Sequence, residues 1–297
     1  MRQDVDYTVR TCTVCQKNKK TLKKYGKWPP KQAETESKPW ERVNIDLIGP
    51  LSVKTPTKTH SLDALTMIDP ATGWFEIKEL HSRTAEATAD AFDDAWLTRY
   101  PRPQYIGFDN GGENKGIFRE MTDNYGLKRK PTTNYNPQGN GVCERVHAVL
   151  NDILRTFELE ERELDEQNPW SEFLAAAAFA IRSTYHTTLQ ATPAQLVFGR
   201  DMILPISIKA NWERIKERKQ LEINRNNARE NKDRIDHTYE VGDKVYLRKE
   251  GIQRKLSSPR DGPYKITAVY DNGTAMIQTS DAVSERVNIR RLTPHFG

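Results

Sequence analysis

The chain has 297 residues, 36% hydrophobic and 29% charged, with a net charge of +5 and a mean hydropathy of −0.80, enough for one sizeable core plus polar appendages. Three cysteines exclude a disulfide framework. The longest apolar run, "FLAAAAFAI", is about half of what a bilayer crossing needs and no signal-peptide pattern opens the chain, so a soluble, intracellular protein is expected.

The charge is segregated along the chain. Residues 1–40 hold 10 Lys and Arg against 4 Asp and Glu, residues 41–208 hold 17 against 24, residues 209–260 hold 15 against 9, and the tail balances at 4 against 4. Basic flanks around an acidic middle fit a polyanion gripped by the ends, although solvated linkers give the same profile.

In chain order, the first segment has the pair Cys12 and Cys15, a lysine cluster and a Pro-Pro break. From Trp40 the pattern changes. "ERVNIDLIGPL" predicts a strand closed by a Gly-Pro stop, and "LDALTMIDPATGWFEIKEL" a hairpin turning at Pro-Ala-Thr-Gly. Ala85, Ala89, Phe92, Trp96 and Leu97 share one helical face, bounded by Pro101 and Pro103. "PQYIGFDNGG" predicts a short strand, "GIFREMTDNYG" a short helix ending at Gly126, and "LKRKPTTNYN" an extended segment.

From Gly141, the residues Val142, Val146, Val149, Leu150, Ile153, Leu154 and Phe157 keep helical spacing, followed by the acidic, solvated run "ELEERELDEQN". "PWSEFLAAAAFAIRSTYHTT" predicts a second long helix whose alanines permit close packing. Residues 211–240 predict a charged helical connector, and short strands around an Asp-Asn-Gly turn after Val241 predict a small β-barrel or sandwich.

The middle is thus β-β-β-α-β-α-β-α-α, a mixed α/β pattern, and three acids stand at its junctions. Asp46 lies inside the first strand, Asp109 where the fourth strand gives way to glycines, and Glu144 near the start of the helix after an Asn/Gly loop. A carboxylate in an apolar strand is costly unless paired or metal-bound. Such a trio offers hard oxygen ligands suited to Mg²⁺ or Mn²⁺, and two such ions can act on both oxygens of a phosphodiester displacement. Each acid taken alone reads better as a capping or solvated group; the trio in this strand order is harder to dismiss.

The stretches "VNIDLIGPL", "IGFDNGGEN" and "YNPQGNGVCERVHAVLNDILRT" resemble the three catalytic signatures of retroviral-type integrases, the D,D,E family with an RNase H-like fold. With "C-x-x-C-Q" before them, "TPAQLVFGR" after, then "GPY" and "VNIRRLTPHF", the whole chain resembles integrases of gypsy-type LTR retrotransposons. The resemblance implies an RNase H-like core, a mixed five-stranded sheet flanked by helices, with a small β-barrel C-terminal domain. It implies Asp46, Asp109 and Glu144 as the catalytic triad holding two Mg²⁺ or Mn²⁺, trimming of the element's DNA 3′ ends, and their joining to target DNA. The 34 residues between Asp109 and Glu144 are one fewer than the family's usual spacing.

The same resemblance puts Asn136, Gln138, Asn140 and Arg145 along the DNA end, with Lys128, Arg129 and Lys130 just before them. Ala148 stands where many relatives carry a basic residue. Cys12 and Cys15 match half of the family's His-His-Cys-Cys zinc module; no histidine precedes them, so the Zn²⁺ site is incomplete as written and an upstream continuation is expected. Cys143, Asp69 and Trp74 read as packing and turn residues. The expected division is 1–39 zinc-module remnant and basic linker, 40–208 catalytic core, 209–240 connector, and 241–297 C-terminal DNA-binding domain. DNA is the implied partner, a dimer or tetramer the implied assembly, and the nucleus the implied destination, after a cytoplasmic particle. The alternatives are a catalytically inactive or domesticated DNA-binding relative and an RNase H-type nuclease; no P-loop, G-x-S-x-G or H-E-x-x-H pattern offers another chemistry.

Overall fold

A computed structural model of the chain describes residues 2–19, 24–27, 38–54, 59–108, 116–131, 141–159, 168, 170–250 and 257–296. These fall into two compact units: the described residues within 1–32 and 221–297 form one, and those within 33–132 and 136–220 the other.

The larger unit is built on a mixed five-stranded sheet. Its strands are β2 (Arg42–Lys54), β3 (Thr59–Ile68), β4 (Phe75–Leu80), β5 (Tyr105–Phe108) and β6 (Lys128–Pro131), in the order β4-β3-β2-β5-β6. The first three run antiparallel, as the hairpin pattern requires, whereas β5 pairs parallel to β2, and β6 parallel to β5, after helical crossovers. The helices are α3 (Ala85–Phe92) with a π turn (Asp93–Leu97), α4 (Ile117–Asn124), α5 (Gly141–Leu159), α6 (Ser171–Ser183) and α7 (Pro193–Phe198).

Period-two alternation sorts the sheet into two faces. Val43, Ile45, Leu65, Met67, Ile106 and Phe108 meet Phe92, Trp96 and Phe118 from α3, the π turn and α4. Ile48, Leu62, Ala64, Ile68 and Phe75 meet Leu150 and Leu154 of α5 and Phe173 and Ala177 of α6. Helices therefore cover both sides, the RNase H-like arrangement. The hairpin turn is held by Asp69, fully buried, whose carboxylate accepts from Ala71 N, Thr72 Oγ1 and Trp40 N at 2.9, 2.8 and 3.2 Å. It is a turn-former, and Trp74 beside it is a core residue.

One expectation is corrected. The Gly-Pro pair does not stop the first strand; β2 runs on to Lys54, with its register against β3 shifting between Ile48 and Leu51. Gly49 takes φ +124°, and a Cβ there would lie 2.4 Å from the Leu62 carbonyl oxygen, so only glycine fits the bulge. Among the described residues, β5 pairs with β2 only over Arg42–Asn44, which leaves Pro50 clear of that ladder. The run "ELEERELDEQN" lies almost wholly outside the described residues.

The helix α8 (Trp212–Asn231) carries the chain into the smaller unit; the charged connector is helical only to Asn231 and then forms β7 (Arg234–Ile235). An antiparallel sheet follows, of β8 (Lys244–Arg248), β9 (Arg260–Tyr270), β10 (Thr274–Ser280), β11 (Val283–Asn288) and β12 (Leu292–Pro294), ordered β11-β10-β9-β8-β12. Val245, Ile266, Ala275, Ile277, Val287 and Leu292 fill its core, making the barrel-like module expected after Val241.

The N-terminal segment belongs to this unit. Its α1 (Arg2–Thr11) and α2 (Thr13–Asn18) lead to β1 (Lys24–Tyr25), which pairs parallel with β7. The Gln16 amide donates to the Phe296 carbonyl at 2.6 Å and accepts from the Phe296 N–H at 2.9 Å. Arg260 Nη1 donates to the carbonyls of Gln16 and Lys19 at 2.6 and 2.8 Å.

Candidate active site

The strand β2 carries two different rows of side chains. Val43, Ile45 and Leu47 face the α3/α4 core, so Arg42, Asn44 and Asp46 point to the opposite face. Asp46 is therefore not a charge stranded in an apolar strand: it ends a polar row and is partly exposed, with Oδ1 accepting from Leu47 N at 3.0 Å. The start of the row is buried. Arg42 Nε donates to Asn44 Oδ1 at 2.8 Å, and the pair covers Gly107 of β5, where a Cβ would sit 2.3 Å from Asn44 Oδ1.

The row continues across the sheet. Arg42 aligns with Tyr105 and through it with Lys128; Asn44 aligns with Gly107 and through it with Lys130. Tyr105 and Gly107 alternate with the core residues Ile106 and Phe108, so they lie on the Asp46 face. Lys130 Nζ sits 3.7 Å and Lys128 Nζ 5.7 Å from the centre of the Tyr105 ring, which fixes both exposed lysines on that face. Two strand spacings, about 10 Å, separate their strand from β2. Arg129 points the other way: it pairs with Asp123 at 2.9 Å and donates to Thr122 Oγ1 at 3.1 Å. The three consecutive basic residues are thus not equivalent, and only two share the acid's face.

The helix α5 lies on that face, packed on β2 and β3 through Leu150 and Leu154. Glu144 is in its first turn; the placement of its side chain, like that of Cys143, lies outside the described residues. Asp109, Asn136, Gln138 and Asn140 also lie outside them. Arg145 is exposed on α5, and its charge, with that of Lys219, adds to burial in holding the His186 imidazole below its usual pKa.

One turn after Glu144, His147 Nε2 lies 2.8 Å from Thr66 Oγ1, and that hydroxyl donates to the Asp46 main-chain carbonyl at 2.9 Å. Thr66 is also the residue directly opposite Asp46 in the β2–β3 ladder. Burial holds the half-buried His147 ring below the usual histidine pKa, so it is neutral at neutral pH. Sequence reading passed over Thr66, which shows only as a polar residue among the apolar ones of β3, and over Arg42 and Asn44, which the alternation of "RVNID" does reveal.

Among the described residues, no group of three or more His, Cys, Asp or Glu is placed to share a metal ion. Cys12 and Cys15 are free thiols, both partly exposed. The Cys15 backbone N–H, followed by its thiol, lowers the Cys12 pKa, and the same thiol contact raises that of Cys15.

No protein-family model matches the chain. It is 28% identical over 283 residues, 87% of its length, to the retrovirus-related Pol polyprotein from transposon 412 of Drosophila melanogaster. It is 27% identical over 221 residues, 73% of its length, to the Pro-Pol polyprotein of feline foamy virus. The chain spans 22% of the first relative and 18% of the second. Among solved structures, a chain of the simian T-cell lymphotropic virus intasome in complex with PP2A regulatory subunit B56 gamma matches with a TM-score of 0.66 at 17% identity, covering 99% of this chain and 91% of that one. Sequence and fold thus converge: the chain is a homologue of retroviral and retrotransposon Pol polyproteins, and its fold is that of a retroviral-type integrase.

Proposed function

We propose that the protein is an integrase: a divalent-metal-dependent polynucleotidyl transferase that trims retroelement DNA 3′ ends and joins them to target DNA, with Asp46, Asp109 and Glu144 as its catalytic carboxylates. One observation carries this reading. The alternation of β2 turns Asp46 to the sheet face on which α5, the helix bearing Glu144, is packed. The gypsy-type assignment rests on the order of the motifs.

The donor set suits Mg²⁺ or Mn²⁺, being all carboxylate oxygen, and the partly exposed Asp46 carboxylate is reachable by a hydrated cation. Two such ions held by Asp46, Asp109 and Glu144 would stabilise charge on the attacking and leaving oxygens of a phosphodiester. Lys128 and Lys130 attract the phosphate backbone toward that face, and Arg145 with Asn136, Gln138 and Asn140 borders the DNA end. Zn²⁺ at Cys12 and Cys15 would need two further ligands. Joining two DNA ends calls for a dimer or tetramer, and target DNA puts the reaction in the nucleus.

The test is strand joining of a short duplex end to plasmid DNA in Mg²⁺. Joining is expected with the unmutated chain and lost in Asp46→Asn and Asp109→Asn, with salt-sensitive DNA binding retained. Joining by either variant at the unmutated rate removes that residue from the catalytic set. DNA binding without joining by the unmutated chain favours the second reading, a DNA-binding relative without chemistry.

A further inference from the structure

The geometry points to His147 as a positioning residue that ties the helix turn of Glu144 to the strand of Asp46 through the Thr66 hydroxyl, with the ring proton on Nε2. A hydroxyl has a single proton to donate. Thr66 Oγ1 is 2.9 Å from the Asp46 main-chain oxygen and 2.8 Å from His147 Nε2. A carbonyl oxygen only accepts, so the Thr66 proton is committed to Asp46. The contact with His147 is then a hydrogen bond only if Nε2–H donates, which leaves Nδ1 as the ring's acceptor.

The latch is well placed to hold a register. Thr66 is 2% exposed, so water does not compete freely for its hydroxyl. His147 follows Glu144 by three residues, about 4.5 Å along the helix and about 60° around it. The relay therefore joins main chain to main chain: from the strand at Asp46, through two side chains, to α5 one turn after Glu144. An ordinary core histidine would stabilise the fold alone; a positioning one also sets how well Asp46 and Glu144 share a cation. That consequence for activity rests on the proposed function, whereas the tautomer and the latch do not.

Nitrogen-15 imidazole NMR of the full chain at neutral pH tests the latch directly. An Nε2–H tautomer with a slowly exchanging ring proton is expected, and that protection should vanish in Thr66→Val and return in Thr66→Ser. An Nδ1–H tautomer, or protection unchanged in Thr66→Val, overturns the inference. Strand joining against Mg²⁺ concentration tests the positioning. His147→Ala should raise the half-saturating Mg²⁺ by about five-fold, the scale of one buried hydrogen bond. His147→Gln, whose amide can donate in the Nε2 position, should recover most of it. Equal Mg²⁺ dependence in His147→Ala and the unmutated chain overturns the positioning role even if the latch exists. Failure of the unmutated chain to join DNA at all would instead sink the proposed function, and the NMR result would still decide the latch.

Discussion

Truncation of Leu150 to alanine tests whether α5 is docked as a rigid part of the sheet. Leu150 is 0% exposed, with Ile48, Leu62 and Ala64 of the sheet in the same buried cluster and Phe173 of α6 beside them. Leu-to-Ala changes in cores cost about 2–5 kcal/mol, the spread reflecting how far the site can collapse. Here the sheet side is pinned by the β2–β3 ladder, so little collapse is available and about 3–4 kcal/mol is expected. The next residue along the helix toward the N-terminus supplies the control. Val149 is 45% exposed, and Val149→Ala should change stability by no more than about 0.5 kcal/mol. Urea unfolding followed by tryptophan fluorescence is the assay, since five of the six tryptophans, Trp40, Trp74, Trp96, Trp170 and Trp212, fall in the unit that contains α5. A loss below about 1 kcal/mol for Leu150→Ala, or equal losses for the two variants, would refute the docking and remove the support it gives to the proposed function.

Two other outcomes are expected. Lys128→Ala and Lys130→Ala should each weaken DNA binding and lower the salt slope by about 1, whereas Arg129→Ala, which breaks the Asp123 pair, should leave the slope unchanged; the reverse pattern would put DNA on the other face. Stability should also fall on acidification. His147 titrates below its unfolded value, so its contribution is intact above the unfolded pKa of about 6.5, erodes as the unfolded chain takes up the proton first, and is lost once pH passes the folded value. Melting temperatures measured between pH 7.5 and 5.5 should drop less in His147→Gln than in the unmutated chain, and equal drops would show that the ring is not desolvated.

Much of this protein is determined locally. The β-β-β-α-β-α-β-α-α order, the Pro-Ala-Thr-Gly hairpin, the helix after Gly141 and the β-rich end all follow from side-chain period and turn chemistry, which a short stretch of chain carries by itself. The choice of Asp46, Asp109 and Glu144 as candidates comes from motif order, which contiguous residues carry. Tertiary structure decided the rest. Whether Gly49–Pro50 ends a strand depends on the Leu62 carbonyl, which is not near in sequence. Whether a lysine-rich triplet faces DNA depends on which of its members finds Asp123 and which finds Tyr105. The Thr66–His147 bond spans 81 residues and the Gln16–Phe296 pair 280. Contacts of that range are set by how packed faces meet in space, and no local period encodes them.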